Sequence, residues 1–252
     1  MSDLVTVLFV GVIIWVLKKC WSDFRRRYFA AFMNYRRVSQ DMDVRIETMK
    51  KDVFSTLGTV VSHDPELRKH NAIKILEIGV GTGTNFAYYP ERTRLVVVDP
   101  NPHFKAYYDN NRKKFPNIHS EDIIVSTGEN IDMVADNSID VVVSTLVLCS
   151  VDNINKVIQQ ILRVLAPGGK YYFYEHIKEF DTEHSTRQKI QIFLTSTGIW
   201  PFLFDGCYLT RDMLEAINKA GFSKVQALRF HSPVDHFVFQ LVKPCLKGVA
   251  EK

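Results

Sequence analysis

Glu77-Ile78-Gly79-Val80-Gly81-Thr82-Gly83-Thr84-Asn85 closes the apolar run 73–78 and leads towards a short helix. An apolar strand ending in alternating glycines leaves backbone amides open, and glycine lets a ligand approach them closely. Twenty residues past Gly79 stands Asp99, at the tip of the second apolar run, RLVVVD (94–99). A carboxylate there is placed to accept hydrogen bonds from ribose hydroxyls. A glycine loop with a following acid is shared by several nucleotide-cofactor sites. The spacing here is GxGxG, whereas a nicotinamide dinucleotide site has GxGxxG, so a dehydrogenase is disfavoured.

Outward from this loop, strand and helix signals alternate. Residues 123–126, 140–144 and 170–176 read as further strands, and 224–230 and 236–242 as two late ones. Between the fourth and fifth, Ile154, Val157, Ile158, Ile161, Leu162 and Leu165 repeat at helical spacing. Asp152 is expected to cap that helix, and Pro167-Gly168-Gly169 to end it. A last helix is expected from Thr210 to Gly221. The pattern predicts an α/β fold, a doubly wound, mainly parallel seven-stranded sheet, with ligands outside the carboxyl ends of its strands. The expected division is an N-terminal segment 1–37, a helical connector or cap 38–72, the main domain 73–246 and a tail 247–252.

The chain has 252 residues, 46% of them hydrophobic, enough for one large core and incompatible with general disorder. Its four cysteines, Cys20, Cys149, Cys207 and Cys245, lie far apart, which argues against a disulfide framework. The eight histidines form no HxH or HxxxH pair, so no metal site is expected. The net charge of +4 resides at the N-terminus: residues 18–37 carry +6, and the remainder from 38 onward carries −1. Charge therefore points away from a nucleic-acid groove on the main domain.

Residues 4–17 (LVTVLFVGVIIWVL) are uncharged, and eleven of the fourteen are Leu, Ile, Val or Phe. As a helix the run spans about 21 Å, short of a ~30 Å hydrocarbon core. Asp3 precedes it and Lys18-Lys19-Cys20-Trp21 follows, the wrong flanks for a cleaved signal peptide. Trp21, Phe24, Tyr28, Phe32 and Tyr35 then recur on one helical face among Arg25, Arg26, Arg27, Arg36 and Arg37. Rings at headgroup depth beside basic side chains suit an interfacial helix, so 1–37 is expected to be a membrane-anchoring segment with the domain facing the cytosol. The alternative is a helix docked on the core.

Further blocks sharpen the reading. Gly128-Glu129, the run Asn137-Ser138-Ile139-Asp140-Val141-Val142-Val143 and Pro167-Gly168-Gly169, with Glu77 two residues before the first glycine, resemble the motif series of class I, Rossmann-like, S-adenosylmethionine-dependent methyltransferases. That resemblance implies S-adenosyl-L-methionine as cofactor. It places Gly79, Gly81, Thr82, Gly83, Asp99 and Pro100 around it, Glu77 towards its amino-acid end and Glu129 near its adenine. Thr145 and Leu146 then contact the methionine part. LVVVDPNPHF (95–104), VVVSTLVLCSV (141–151), VLAPGG (164–169) and DGCYLTRD (205–212) look closer to one subfamily, the methyltransferase-like 7 group or thiol S-methyltransferases. Val80 stands where those relatives are expected to carry Cys, a change that leaves the backbone role intact. The resemblance implies methyl transfer to small alkyl or hydrophobic thiols, at the endoplasmic reticulum membrane or lipid droplets.

Such chemistry asks little of the protein, because a thiol with a pKa near 8.5 is already a few per cent thiolate at neutral pH. His176, at the end of the fifth strand, is the candidate base or orienter, and Cys149 the candidate residue facing the substrate. Either can equally be structural: a hydrogen-bonded strand-end histidine, a small buried hydrophobe. Trp200, Asp205, Cys207 and Tyr208, from the segment 193–208, are candidates for the substrate pocket or an apolar lid, with ordinary packing as the alternative. Rival functions are transfer to a quinone, phospholipid or other oxygen, nitrogen or carbon acceptor, and a non-catalytic membrane or lipid-droplet scaffold.

Overall fold

The computed structural model describes residues 19–37, 44–233 and 237–252. The apolar run 4–17 lies outside the described residues. Seven strands form one sheet in the order β3-β2-β1-β4-β5-β7-β6. They are β1 (Ile73–Ile78), β2 (Thr93–Val98), β3 (His119–Ser120), β4 (Ile139–Thr145), β5 (Leu165–His176), β6 (Lys224–His231) and β7 (Pro244–Glu251). Strands β1 to β5 run parallel. β7 inserts antiparallel between β5 and β6.

Side-chain alternation divides the core into two layers. Leu76 and Ile78 of β1 and Val142 of β4 pack on one face, under α5 (Ile154–Val164) and α8 (Leu214–Lys219). Ile73, Ile75, Val141 and Val143 face the other, with Met49 and Val53 of α2 (Val44–Val53) and Tyr108 of α4 (Lys105–Arg112). Strands covered on both sides must be apolar throughout, and β4 is buried from Ile139 to Ser144. The order reverses between β1 and β4, so the loops leaving their carboxyl ends diverge and open a crevice.

Several expectations shift in detail. The run 123–126 forms only a single bridge, Ile124 to Val98, and the paired strand lies just before it at His119–Ser120. The expected strand 236–242 is a 3-10 turn over Phe237–Val242, and the edge-filling strand comes later. Residues 247–252 are thus no tail, since all but the last belong to β7. Asn153, not Asp152, caps α5, its side chain accepting the Lys156 amide proton. β5 begins at Leu165, so Pro167-Gly168-Gly169 sits within its first half. The last helix starts at Leu214, whose amide is held by the Asp212 carboxylate at 3.1 Å.

Helices α3 (Pro65–Lys69) and α6 (Ser185–Ser196) precede β1 and follow β5; the segment 19–37 is one helix, α1, and it lies on the body. Ala30 is fully buried, and Phe29 meets Phe104 edge-on at 6.1 Å. Of its five spaced rings, Trp21, Phe24, Tyr28 and Tyr35 are exposed, Trp21 by 56% and Tyr35 by 71%, while Phe32 packs on Phe204 and Phe239. Among the described residues no helix is long and apolar enough to cross a membrane.

Candidate active site

At the carboxyl ends of β1, β2 and β4 lies a cavity of about 440 Å³, within the range that holds a small ligand. The glycine loop forms its floor. Gly79 takes φ +69, and a Cβ there would collide with Val147, so only glycine admits both this backbone and this neighbour. The Gly79 amide donates to the Val98 carbonyl at 2.7 Å, tying the loop to the end of β2. There the Asp99 carboxylate accepts the Gly81 amide at 2.9 Å and the Asn101 amide at 2.8 Å, one on each oxygen. Burial pushes the Asp99 carboxyl up to about 6 despite those two donors. Each oxygen keeps accepting capacity for a further donor.

Of the expected cofactor residues, Gly79, Gly81, Thr82, Asp99, Pro100, Glu129, Thr145 and Leu146 line this cavity. Glu77 and Gly83 do not. Gly83 (φ +74) shapes the loop against the Phe86 ring. Glu77 is buried beneath the loop, where it accepts from Asn85 Nδ2 at 2.7 Å and from the Tyr89 hydroxyl at 2.6 Å. Burial raises its carboxyl to about 7, against the pull of those donors. Asn85 also donates to Thr145 Oγ1 at 3.0 Å, so Glu77 reaches the cavity through Asn85 and not directly. Glu129 accepts the Asn153 amide at 3.0 Å, which fixes it at the start of α5.

The loop after β4 carries its own strain. Leu146 sits at φ 59, a left-handed conformation uncommon for a side chain of that size, and its amide donates to Tyr174 O at 2.8 Å. Glu175, which the sequence reading passed over, holds the rest. It accepts from Ser144 Oγ at 2.8 Å and from the amides of Val147 and Leu148 at 2.8 and 3.0 Å.

The opposite wall comes from α1 and α2. Arg25, Arg26, Phe29, Met33, Arg36 and Arg37 of α1 line the cavity beside Ile46, Met49 and Lys50 of α2. Arg26 donates to Pro100 O at 2.7 Å, and the Arg26 carbonyl accepts from Asn101 Nδ2 at 3.0 Å. Arg25 lies 3.8 Å from Asp205, and Lys50 donates to Thr84 O at 3.0 Å. The helix expected at a membrane therefore also closes the pocket. Its basic residues were visible in the sequence, but which side faced inward was not.

On the acceptor side, only Asp205 of the four expected substrate residues reaches the cavity, in a left-handed backbone (φ 46) beside Gly206. Trp200 is buried against Phe204, with ring centroids 4.1 Å apart, and Tyr208 lies under the Arg211 guanidinium. Cys207, His176 and Cys149 cluster together and do not line this cavity. The structure therefore does not offer His176 or Cys149 as groups touching a substrate in this cavity. Helix α7 (Ile199–Leu203) and the turn after it cover the end of β5, and His176 points into that layer.

The residues present suit an adenosyl cofactor. Asp99 has acceptor capacity for hydroxyls, the Gly79–Thr82 loop brings its backbone to the cavity, and Glu129 provides a second acid in the lining. Comparisons agree. A family profile described as a methyltransferase domain matches residues 76–173. Human thiol S-methyltransferase TMT1A is 35% identical over 245 residues, covering 97% of this chain and 91% of its own. Thiol S-methyltransferase TMT1B of Rattus norvegicus is 36% identical over 249 residues, covering 99% and 96%. A SAM-dependent methyltransferase from Thermotoga maritima, described as a possible histamine N-methyltransferase, superposes with a TM-score of 0.55 at 14% identity, covering 89% of this chain and 98% of its own. At that identity the likeness concerns the fold.

Proposed function

This chain belongs to the thiol S-methyltransferase family and is an S-adenosylmethionine-dependent methyltransferase; from that premise we propose that it methylates small hydrophobic thiols at a membrane surface. The observation that supports the acceptor class is the composition of the cavity wall. Phe29, Met33, Ile46, Met49 and Phe104 give it apolar surface, and Arg25, Arg26 and Arg36 bring guanidinium groups to the same wall. A thiol that enters sheds water against the first set, while cationic charge nearby favours its anion.

When bound, S-adenosylmethionine supplies a methyl carbon already activated by its sulfonium. The protein then has three tasks. Asp99 and the Gly79–Thr82 loop hold the nucleoside end, Glu77 stiffens that loop through Asn85, and Glu175 fixes the backbone after β4 against which the acceptor lies. Placing a nucleophile in line is worth a large part of such a barrier. The thiol proton leaves to solvent before or as sulfur attacks, and no strong base need stand in the cavity.

The membrane setting rests on the apolar run 4–17 and on the exposed aromatic face of α1. Trp21 and Phe24 stack at 5.8 Å, and Trp21 also meets Phe202 of α7 at 6.2 Å. Rings and arginines together are what a headgroup layer accommodates. The location we propose is the cytosol-facing surface of the endoplasmic reticulum or of lipid droplets. Methyl-labelled cofactor, offered to the full chain with a panel of alkyl thiols and a lipid extract, tests the acceptor class. The proposal expects label in S-methyl thioethers; label confined to a quinone, a phospholipid or another lipid would overturn it.

A further inference from the structure

Three residues far apart in sequence meet beneath the cavity wall. Cys149, His176 and Cys207 are 2%, 3% and 8% exposed, and their ligand atoms lie within 4.8 Å of one another. Their backbones come from three places: the loop after β4, the end of β5, and the turn after α7. We propose that Cys149, His176 and Cys207 form a buried Cys2His site for one zinc(II) ion.

The donor set is one that zinc takes. Two thiolates and an imidazole are an established three-ligand arrangement, with the fourth position left to an exchangeable ligand. Zinc–sulfur bonds of about 2.3 Å and zinc–nitrogen bonds of about 2.0 Å require donor separations of roughly 3.5–3.8 Å at tetrahedral angles. His176 Nε2 and Cys207 Sγ stand 3.0 Å apart, so side-chain adjustments of under about 1 Å close the set. Charge agrees as well. Two thiolates, one divalent ion and a neutral imidazole sum to zero, which a buried site tolerates without a counterion.

The hydrogen bonds around these groups are compatible with metal binding. Cys149 Sγ donates to Leu146 O at 3.6 Å and contacts Ser150 Oγ at 3.5 Å, weak partners that a metal bond can replace. By contrast Trp200 Nε1 donates to Cys207 Sγ at 3.3 Å, and an N–H donor of this kind stabilises a metal-bound thiolate. The neighbours give the ion a role. Val147 and Ser150 beside Cys149, and Asp205 and Gly206 beside Cys207, line the cavity. One ion would pin the two segments that shape its acceptor side.

The test uses the reduced full-length chain in detergent, stripped with a chelator and titrated anaerobically with cobalt(II), then zinc(II). The expected result is saturation at one cobalt per chain, with sulfur-to-cobalt charge transfer and the strong visible bands of a tetrahedral site, displaced by one equivalent of zinc. Cys207→Ser should weaken the charge transfer. His184→Ala, which disrupts the partly exposed Asp181–His184–His231 group, should leave it unchanged. Absence of charge transfer in the wild-type chain overturns the assignment whether or not the cysteine variants fold, and so does an unchanged spectrum in Cys207→Ser.

Discussion

Asp99 accepts the Gly81 amide proton at 2.9 Å, so the carboxylate at the tip of β2 orders the loop that leaves β1. One residue thus serves two ends: it shapes the loop and presents oxygens to the cavity.

Replacing Asp99 with alanine removes both. The Gly81 and Asn101 amides lose their acceptor, and the usual consequence of stranding such groups is about 1–3 kcal/mol, or roughly 5- to 150-fold in affinity. Titration calorimetry with S-adenosylmethionine should show that loss. Unchanged affinity would remove Asp99 from the site.

Cofactor affinity should also depend on pH. With Asp99 near 6 and Glu77 near 7 in the free protein, both carboxyls are held above their ordinary values. Of the two only Asp99 lines the cavity; ligand donors there favour its ionised form, so binding should weaken as pH falls through 6, by up to about tenfold per unit. The free protein should behave oppositely. A raised carboxyl pKa means the folded state holds more protons than the unfolded one, so stability is greatest below the unfolded values and declines as pH rises through 6 and 7. Thermal melts from pH 5.5 to 8, with and without cofactor, should diverge with rising pH; parallel curves would show Asp99 to be unlinked to binding.

Gly79→Ala should abolish cofactor binding. A left-handed backbone disfavours alanine by about 1–2 kcal/mol, and the new methyl group meets the Val147 side chain. Loop displacement follows from either. Differential scanning should find a melting temperature lower by several degrees, and a variant that binds normally would show the close approach to be unimportant.

How much of this was legible in the sequence depends on what each signal was. The glycine loop, Asp99 and the α5 repeat carry their meaning locally, and they stand where the sequence placed them. β7 does not: 247–252 reads as a tail, yet Gly248 lies against the Gln226 carbonyl and the Phe173 ring, where no side chain fits. The near-continuous apolar run 237–242 was the stronger strand signal and the wrong one. The Cys149–His176–Cys207 cluster joins three chain segments, so no spacing could announce it. Glu175 was hidden likewise, because its partners are amides of another loop.

The α1 wall yields its own prediction. Arg26→Ala breaks the bond to Pro100 O and should weaken cofactor binding roughly tenfold, the range for a charged donor, while the melting temperature moves little. Binding isotherms of this variant beside the wild type decide it; equal affinities would make α1 a bystander to the pocket.

The most direct test of thiol methylation is a single turnover. The full chain, loaded with methyl-deuterated cofactor in detergent and mixed with a hydrophobic alkyl thiol, should yield one deuterated S-methyl thioether per chain by mass spectrometry, and Asp99→Ala should yield far less. Loaded protein that leaves the thiol unmodified would contradict the account.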